Sequence, residues 1–244
     1  MNETINVLMK RKSVRVYEDR EIPQEAKEAI LAAAMRAPTA GNSMLYSILD
    51  VTDQALKDKL AETCDHQPFI AKAPMVLIFC ADCRKWYDAY AAAGCAPRAP
   101  GPGDLWLALS DANIAAQNAV TAAWSLGLGS CYIGDILENA ETHRALLRLP
   151  EYVVPAAMLV FGYPTRQQQE REKPARCGLR HIVHENAYRP MDGAELEEML
   201  AHQAGERPYA DWLRAFCQRK YNSGFSREMG RSAALYLEQF RPHS

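Results

Sequence analysis

The sequence predicts a layered α/β or α+β domain built on one main sheet, and three observations predict it. Residues 74–81 are a continuous apolar run bounded by Pro74 and Asp82, the pattern of a strand buried on both faces. Residues 104–126 carry alanine, leucine and valine around most of a helical circumference, so this longest helix is itself buried. Around these two, helical and strand-like periods alternate along the chain.

The elements follow in order. Asn2 caps a short helix whose Ile5, Leu8 and Met9 fall at helical spacing and which ends in the cationic run Lys10-Arg11-Lys12. Residues 13–17 then alternate polar and apolar, as a short strand does. Ile22-Pro23 opens a helix with Ala26, Ile30, Ala33 and Ala34 on its core face, ending at Arg36-Ala37-Pro38. Residues 37–43 are a loop of small residues, 44–51 a strand, and 53–60 a helix capped by Asp53. Beyond the apolar run, the pattern loosens from Arg84 to Pro102 and reads as loop, rich in breakers at 96–103. Asp104 caps the long helix, Gly127 and Gly129 stop it, and residues 130–135 form a strand. A helix at 140–149 and a buried strand at 153–163 complete the main pattern. Residues 167–176 read as a charged surface loop, and 194–203 and 209–240 as helices of a C-terminal extension.

A chain of 244 residues with 48% hydrophobic and 24% charged residues can bury a real core. Its formal net charge of −2 argues against a general nucleic-acid binder, whose affinity rests on phosphate attraction. No signal-like stretch opens the sequence and no run of roughly eighteen apolar residues occurs, so no membrane span is expected and the cytoplasm is the expected location. The seven cysteines are odd in number and scattered, which suits reduced thiols. Cys80 and Cys83 spell CxxC, but at the end of a strand and without a second pair at zinc spacing; they are read as free thiols.

The chemistry centres on residues 9–17, where Arg11, Lys12 and Arg15 surround Ser13. Read singly, such a run is a solvated helix end. Lys173-Pro174-Ala175-Arg176 adds two cations, and residues 126–134 supply a glycine-flanked backbone. Neither GxGxxG nor GxxxxGK[ST] occurs, so a phosphate must be held by side chains: forked guanidinium donors from Arg15 and Arg176, a point charge from Lys173 and a hydroxyl from Ser13. The six histidines form no HExxH, GxSxG is absent, and no metal site is expected. An enzyme built from these residues relies on a cofactor for its chemistry.

In sequence order, residues 11–15 (Arg-Lys-Ser-Val-Arg), 37–42 (Ala-Pro-Thr-Ala-Gly-Asn), Gln67, 126–134, 173–176 and 184–190 together resemble the nitroreductase family, in its oxygen-insensitive nitroreductase and flavin reductase branch. The resemblance spans residues 1–190, leaving 191–244 as a helical extension packing on the core or on a partner subunit. It implies an α+β fold of three layers, with a central, mainly antiparallel sheet flanked by helices, and an obligate homodimer with FMN in clefts at the subunit interface. Arg11, Lys12, Ser13 and Arg15 then hold the phosphate and ribityl end, with Lys173 and Arg176 closing over the phosphate. Gln67 bonds the pyrimidine edge, the backbone at Tyr132, Ile133 and Gly134 approaches N5 and O4, and Pro38, Thr39 and Asn42 line the pocket, partly from the partner. The implied reaction is alternating two-electron hydride transfer from NADPH or NADH to nitroaromatics, quinones or flavins, with no catalytic side chain of its own. The alternative is a flavin-binding or storage protein of the same fold with little turnover.

Overall fold

A computed structural model describes residues 2–241. The chain forms two compact units, Met1–Arg171 with Glu228–Ser244, and Glu172–Arg227. The first unit runs α1 (Glu3–Lys10), α2 (Gln24–Met35), β1 (Tyr46–Asp50), α3 (Gln54–Thr63), α4 (Pro68–Ala71), β2 (Met75–Asp82), α5 (Arg84–Ala92), α6 (Pro102–Ser125), β3 (Gly129–Ile133), α7 (Ala140–Leu146), β4 (Val153–Gly162) and α8 (Arg166–Glu170). The second contains α9 (Gly193–Leu200) and α10 (Tyr209–Lys220); α11 (Gly224–Glu238) starts there and returns to the first unit from Glu228.

The four strands are ordered β1-β2-β4-β3, and every neighbouring pair is antiparallel. All eight residues of β2 are buried, because the sheet is covered on both faces. Alternation sends Met75, Leu77 and Phe79 to one face, against Ile30 and Ala34 of α2 and Ala112, Ala115 and Ala119 of α6. Val76, Ile78 and Cys80 point to the other, against Leu60 of α3 and Ile70 of α4. The first unit is therefore three layers around an antiparallel sheet, the α+β arrangement expected.

Several local expectations are corrected. Residues 84–92 are helical, not loop: the Asp82 carboxylate accepts from the N–H groups of Arg84 at 3.0 Å and Lys85 at 3.1 Å and so starts α5. Its apolar signal is short: Trp86, Tyr87 and Tyr90 are its only large apolar side chains, and α5 buries no residue. Asp104 does not cap α6; it lies at the third helical position and reaches back to the Gly101 N–H at 2.7 Å, with Pro102 in the first turn. Residues 13–17 form isolated bridges rather than a strand. Part of the 167–176 loop is the helix α8, with Gln168 buried. The helix expected over 209–240 is broken at 221–223, where the Ser223 hydroxyl accepts from the Ser226 N–H at 3.2 Å at the start of α11.

The end of the chain belongs to the first unit's core. Tyr236 and Phe240 are buried with Tyr152 and Val154, and the Phe240 ring meets that of Tyr152 edge-on at 5.5 Å. Among the described residues no helix is long and apolar enough to cross a membrane.

Candidate functional site: a cationic strap on the sheet edge

Residues 11–18 form a strap that leaves α1 and is sewn to the end of the sheet. The Val14 N–H donates to Ser130 O at 2.9 Å, and Ser13 bridges Ser130 in parallel. Farther on, the Glu18 N–H donates to Tyr163 O at 2.8 Å and the Tyr17 hydroxyl to Val14 O at 2.9 Å. Two glycines permit this closeness. A Cβ on Gly129 would stand 2.4 Å from Val14 Cγ2, and one on Gly162 would stand 2.6 Å from the Tyr17 ring. Val14 is fully buried as a result, and its flanking residues Ser13 and Arg15 are turned away from that pocket by the alternation of an extended chain.

Lys12 anchors the strap: its ammonium donates to Gln169 O at 2.6 Å and to Arg171 O, while the Arg171 guanidinium donates to Ser13 O at 2.6 Å. These bonds hold Lys12 against carbonyls at the end of α8, where a cation also meets the negative end of the peptide dipoles.

Arg11, Ser13 and Arg15 converge on Cys131 of β3. Burial pushes the Cys131 thiol up, while the Arg15 and Arg11 charges and hydrogen bonds from Arg15 and Ser13 pull it down. Burial raises the Tyr132 phenol to about 12, against the pull of the Arg11 charge. Neither Arg11 nor Arg15 has a carboxylate partner among the described residues. Two guanidinium groups without a carboxylate partner among the described residues and a hydroxyl beside the edge strand β3 are a candidate anion cradle of side chains.

Ile133 is buried, Tyr132 is half-exposed, and Gly134 opens a 3-10 turn, Gly134–Leu137, with open space where a side chain would stand. Gln67, the residue preceding α4, donates from Nε2 to Cys64 O at 2.9 Å, and its Oε1 is an acceptor. Its neighbour Cys64, pushed up to about 12 by burial, has Asp135 as its next largest influence. The Gln67 turn and the Gly134 corner therefore adjoin.

Behind that corner, Glu138 is buried with Oε1 lacking a hydrogen-bond partner, and burial followed by Asp135, Asp65 and Glu228 lifts its carboxyl from 4.5 to about 7. A carboxyl whose folded value is raised stabilises the fold fully below the unfolded value and loses that contribution as pH rises through about 7. Glu138→Gln is therefore expected to exceed the parent in urea resistance above pH 7, with the gap closing toward pH 4.5. Parallel pH profiles for the two proteins would contradict this.

Pro38, Thr39 and Asn42 form a separate group on the loop after α2. The organising residue is Asp111 of α6, buried to 4% exposure. Its carboxylate accepts from the Thr39 hydroxyl, from the Ala40 N–H at 3.4 Å and from the Leu45 N–H at 3.2 Å. Thr39 Oγ1 in turn accepts from the Met44 N–H at 2.8 Å, while Gly41, Asn42 and Met44 all hold positive φ. Sequence reasoning missed Asp111; the available signal was one carboxylate on an otherwise small and apolar helix face, next to Ala108, Ala112 and Ala115. Lys173 and Arg176 lie exposed on the coil after α8, within the second unit.

These features define an α+β protein with an anion cradle of side chains on the edge of an antiparallel sheet. Residues 8–163 match the sequence model of the Nitroreductase family. The chain is 35% identical over 206 residues to the oxygen-insensitive NADPH nitroreductase of Salmonella typhimurium, covering 82% of each protein. It is 31% identical over 246 residues to the FMN reductase (NAD(P)H) of Bacillus subtilis, covering 100% of this chain and 94% of that one. The solved structure of NfrA2 from B. megaterium superposes with a TM-score of 0.82 at 28% identity, covering 100% of both chains. This chain belongs to the nitroreductase family.

Proposed function

We propose that the chain is an FMN-dependent NAD(P)H oxidoreductase that reduces nitroaromatics, quinones or flavins. The observation that carries the reading is the convergence of Arg11, Ser13 and Arg15, free of carboxylate partners among the described residues, on Cys131 of the edge strand β3 in a chain of this family. A phosphate monoester dianion matches that donor set, so the residues fit the cofactor named by the Bacillus subtilis relative.

FMN held there would supply alternating two-electron redox chemistry between NADPH or NADH and an acceptor. The chain's own residues bind and orient. Arg11 and Arg15 neutralise the phosphate, Ser13 adds a hydroxyl, and Lys12 keeps the strap in register through the α8 carbonyls. Gln67 Oε1 would accept from the imide edge of the ring, and the Tyr132–Gly134 backbone would face the ring, with open space where a Gly134 side chain would stand. The phosphate roles of Lys173 and Arg176 rest on the family motif alone.

The homodimer belongs to the same proposal. Ile5, Leu8 and Met9 of α1 and Trp106, Leu107 and Ile114 of α6 are exposed apolar residues of the first unit, the kind of surface a partner subunit covers. Across such a face, Pro38, Thr39 and Asn42 would line the cofactor pocket, partly from the partner subunit. The expected location remains the cytoplasm.

Purified protein reconstituted with FMN is expected to be yellow and to bleach on anaerobic addition of NADPH or NADH. A colourless protein that takes up no added FMN would overturn the proposal.

A further inference from the structure

One pocket away from the strap is built on aromatic rings. α5 places Trp86, Tyr87 and Tyr90 within little more than a turn, and a cavity of about 370 Å³ opens against them. The Trp86 and Tyr90 rings stand 5.6 Å apart at an interplanar angle of 39°. The indole is not free to turn: Trp86 Nε1 donates to Ser43 O at 2.7 Å.

The opposite wall is the coil of residues 95–101, and it is latched. The Arg98 guanidinium grips the Asp104 carboxylate with bonds of 2.5 and 3.0 Å, the Gly101 N–H donates to the same carboxylate, and Pro100 is buried. Asp104 is held below its ordinary value, chiefly by its hydrogen bond to Arg98. The two charged residues that line the pocket therefore cancel, Arg98 with Asp104. A charged ligand finds no uncompensated partner here, whereas a flat neutral ring finds indole and phenol surface. Trp86 and Tyr90 keep 37% and 47% exposure, apolar area presented to water inside a concavity.

We infer that this pocket binds a neutral planar aromatic molecule of one or two fused rings, held by Trp86 and Tyr90 beneath the Arg98–Asp104 latch. The cavity accommodates such a ring system and lacks the free cations that a phosphorylated ligand requires. Ser43 directly follows the Thr39–Asn42 loop, so the pocket also serves to hold an aromatic acceptor next to that loop. This loading role rests on the proposed oxidoreductase activity; the binding itself does not.

The test uses coumarin, a neutral two-ring molecule with no nitro or quinone group, in equilibrium dialysis against the full chain with and without FMN. Saturable binding of one coumarin per chain is expected in both forms. The paired substitutions Trp86→Ala and Tyr90→Ala are expected to weaken it at least about tenfold, the loss of ring stacking, while Trp86→Phe retains most of it. Coumarin-3-carboxylate is expected to bind at least about tenfold more weakly than coumarin. Equal binding by the double variant, equal binding of the anion, competition by FMN, or no saturable binding by the parent each overturn the inference. Failure to take up FMN leaves the coumarin result readable, so the two proposals fail separately. Loading is read from the KM for 1,4-naphthoquinone, expected to rise in the Trp86→Ala variant with kcat held; an unchanged KM overturns that role.

Discussion

Replacing Arg15 with alanine is expected to weaken FMN binding by about 1.5–3 kcal/mol, roughly ten- to 150-fold in Kd, the range for a hydrogen bond to a charged group. The expectation rests on the position of Arg15. Its backbone is held by the strap and its N–H donates to Gln168 Oε1 at 3.4 Å, so the side chain starts from a fixed origin. Its guanidinium has no carboxylate partner among the described residues, so its charge is available to a phosphate. Arg15→Lys keeps the charge and loses the planar fork, and an intermediate loss is expected. Quenching of flavin fluorescence on titration with protein measures all three. Unchanged affinity in Arg15→Ala would return the strap to an ordinary solvated helix end.

Asp111→Ala is expected to cost roughly 3 kcal/mol of stability, read as a lower urea midpoint and a melting temperature lower by about 6–12 °C for a chain of this size. The reason is a buried carboxylate serving several donors at once. Its removal strands the Thr39 hydroxyl and the Leu45 N–H, and loosens the Ala40 N–H contact. The loop from Pro38 to Met44 carries three residues in left-handed backbone conformations and depends on that anchor. Asp111→Asn, which keeps the shape and one acceptor oxygen, is expected to lose less. If the alanine variant matched the parent in urea, Asp111 would not be the anchor of this loop. Weakened FMN retention in Asp111→Ala beyond its loss of stability would further support the loop as a cofactor wall.

Most of the sheet was legible because burial writes itself into the sequence. The apolar run at 74–81 is β2, and its eight residues are buried as a doubly covered strand requires. Caps at Asn2 and Asp53 were readable because the side chain that makes the bond is local: Asn2 accepts from Ile5 N and Asp53 from Ala55 N, both at 3.0 Å. α5 escaped because its apolar signal is short, three aromatic residues and no buried one, and its start is set by Asp82, which the apolar run claims as its own boundary.

The site divides in the same way. Arg11, Ser13 and Arg15 could be singled out because their charge and hydroxyl lie within five consecutive residues of an extended strap. Asp111 could not be paired with Thr39, because 72 positions separate them and only the packing of α2 on α6 brings the loop to the carboxylate. The aromatic pocket was hidden likewise, since its latch needs the coil of 95–101 folded back onto Asp104.

The amino-acid sequence determined the layered α+β class, the alternation of most elements, the cationic strap and the family. Those follow from composition and spacing along the chain, where a local period or a local cap decides the outcome. Only the tertiary structure decided that Lys12 is tied to the end of α8, that Asp111 governs the small-residue loop, that Glu138 sits buried behind the Gly134 corner and that α5 walls an aromatic pocket. Each of these is a pairing of groups far apart in sequence, fixed by which faces of the helices and of the antiparallel sheet are buried against one another, a quantity that no local pattern encodes.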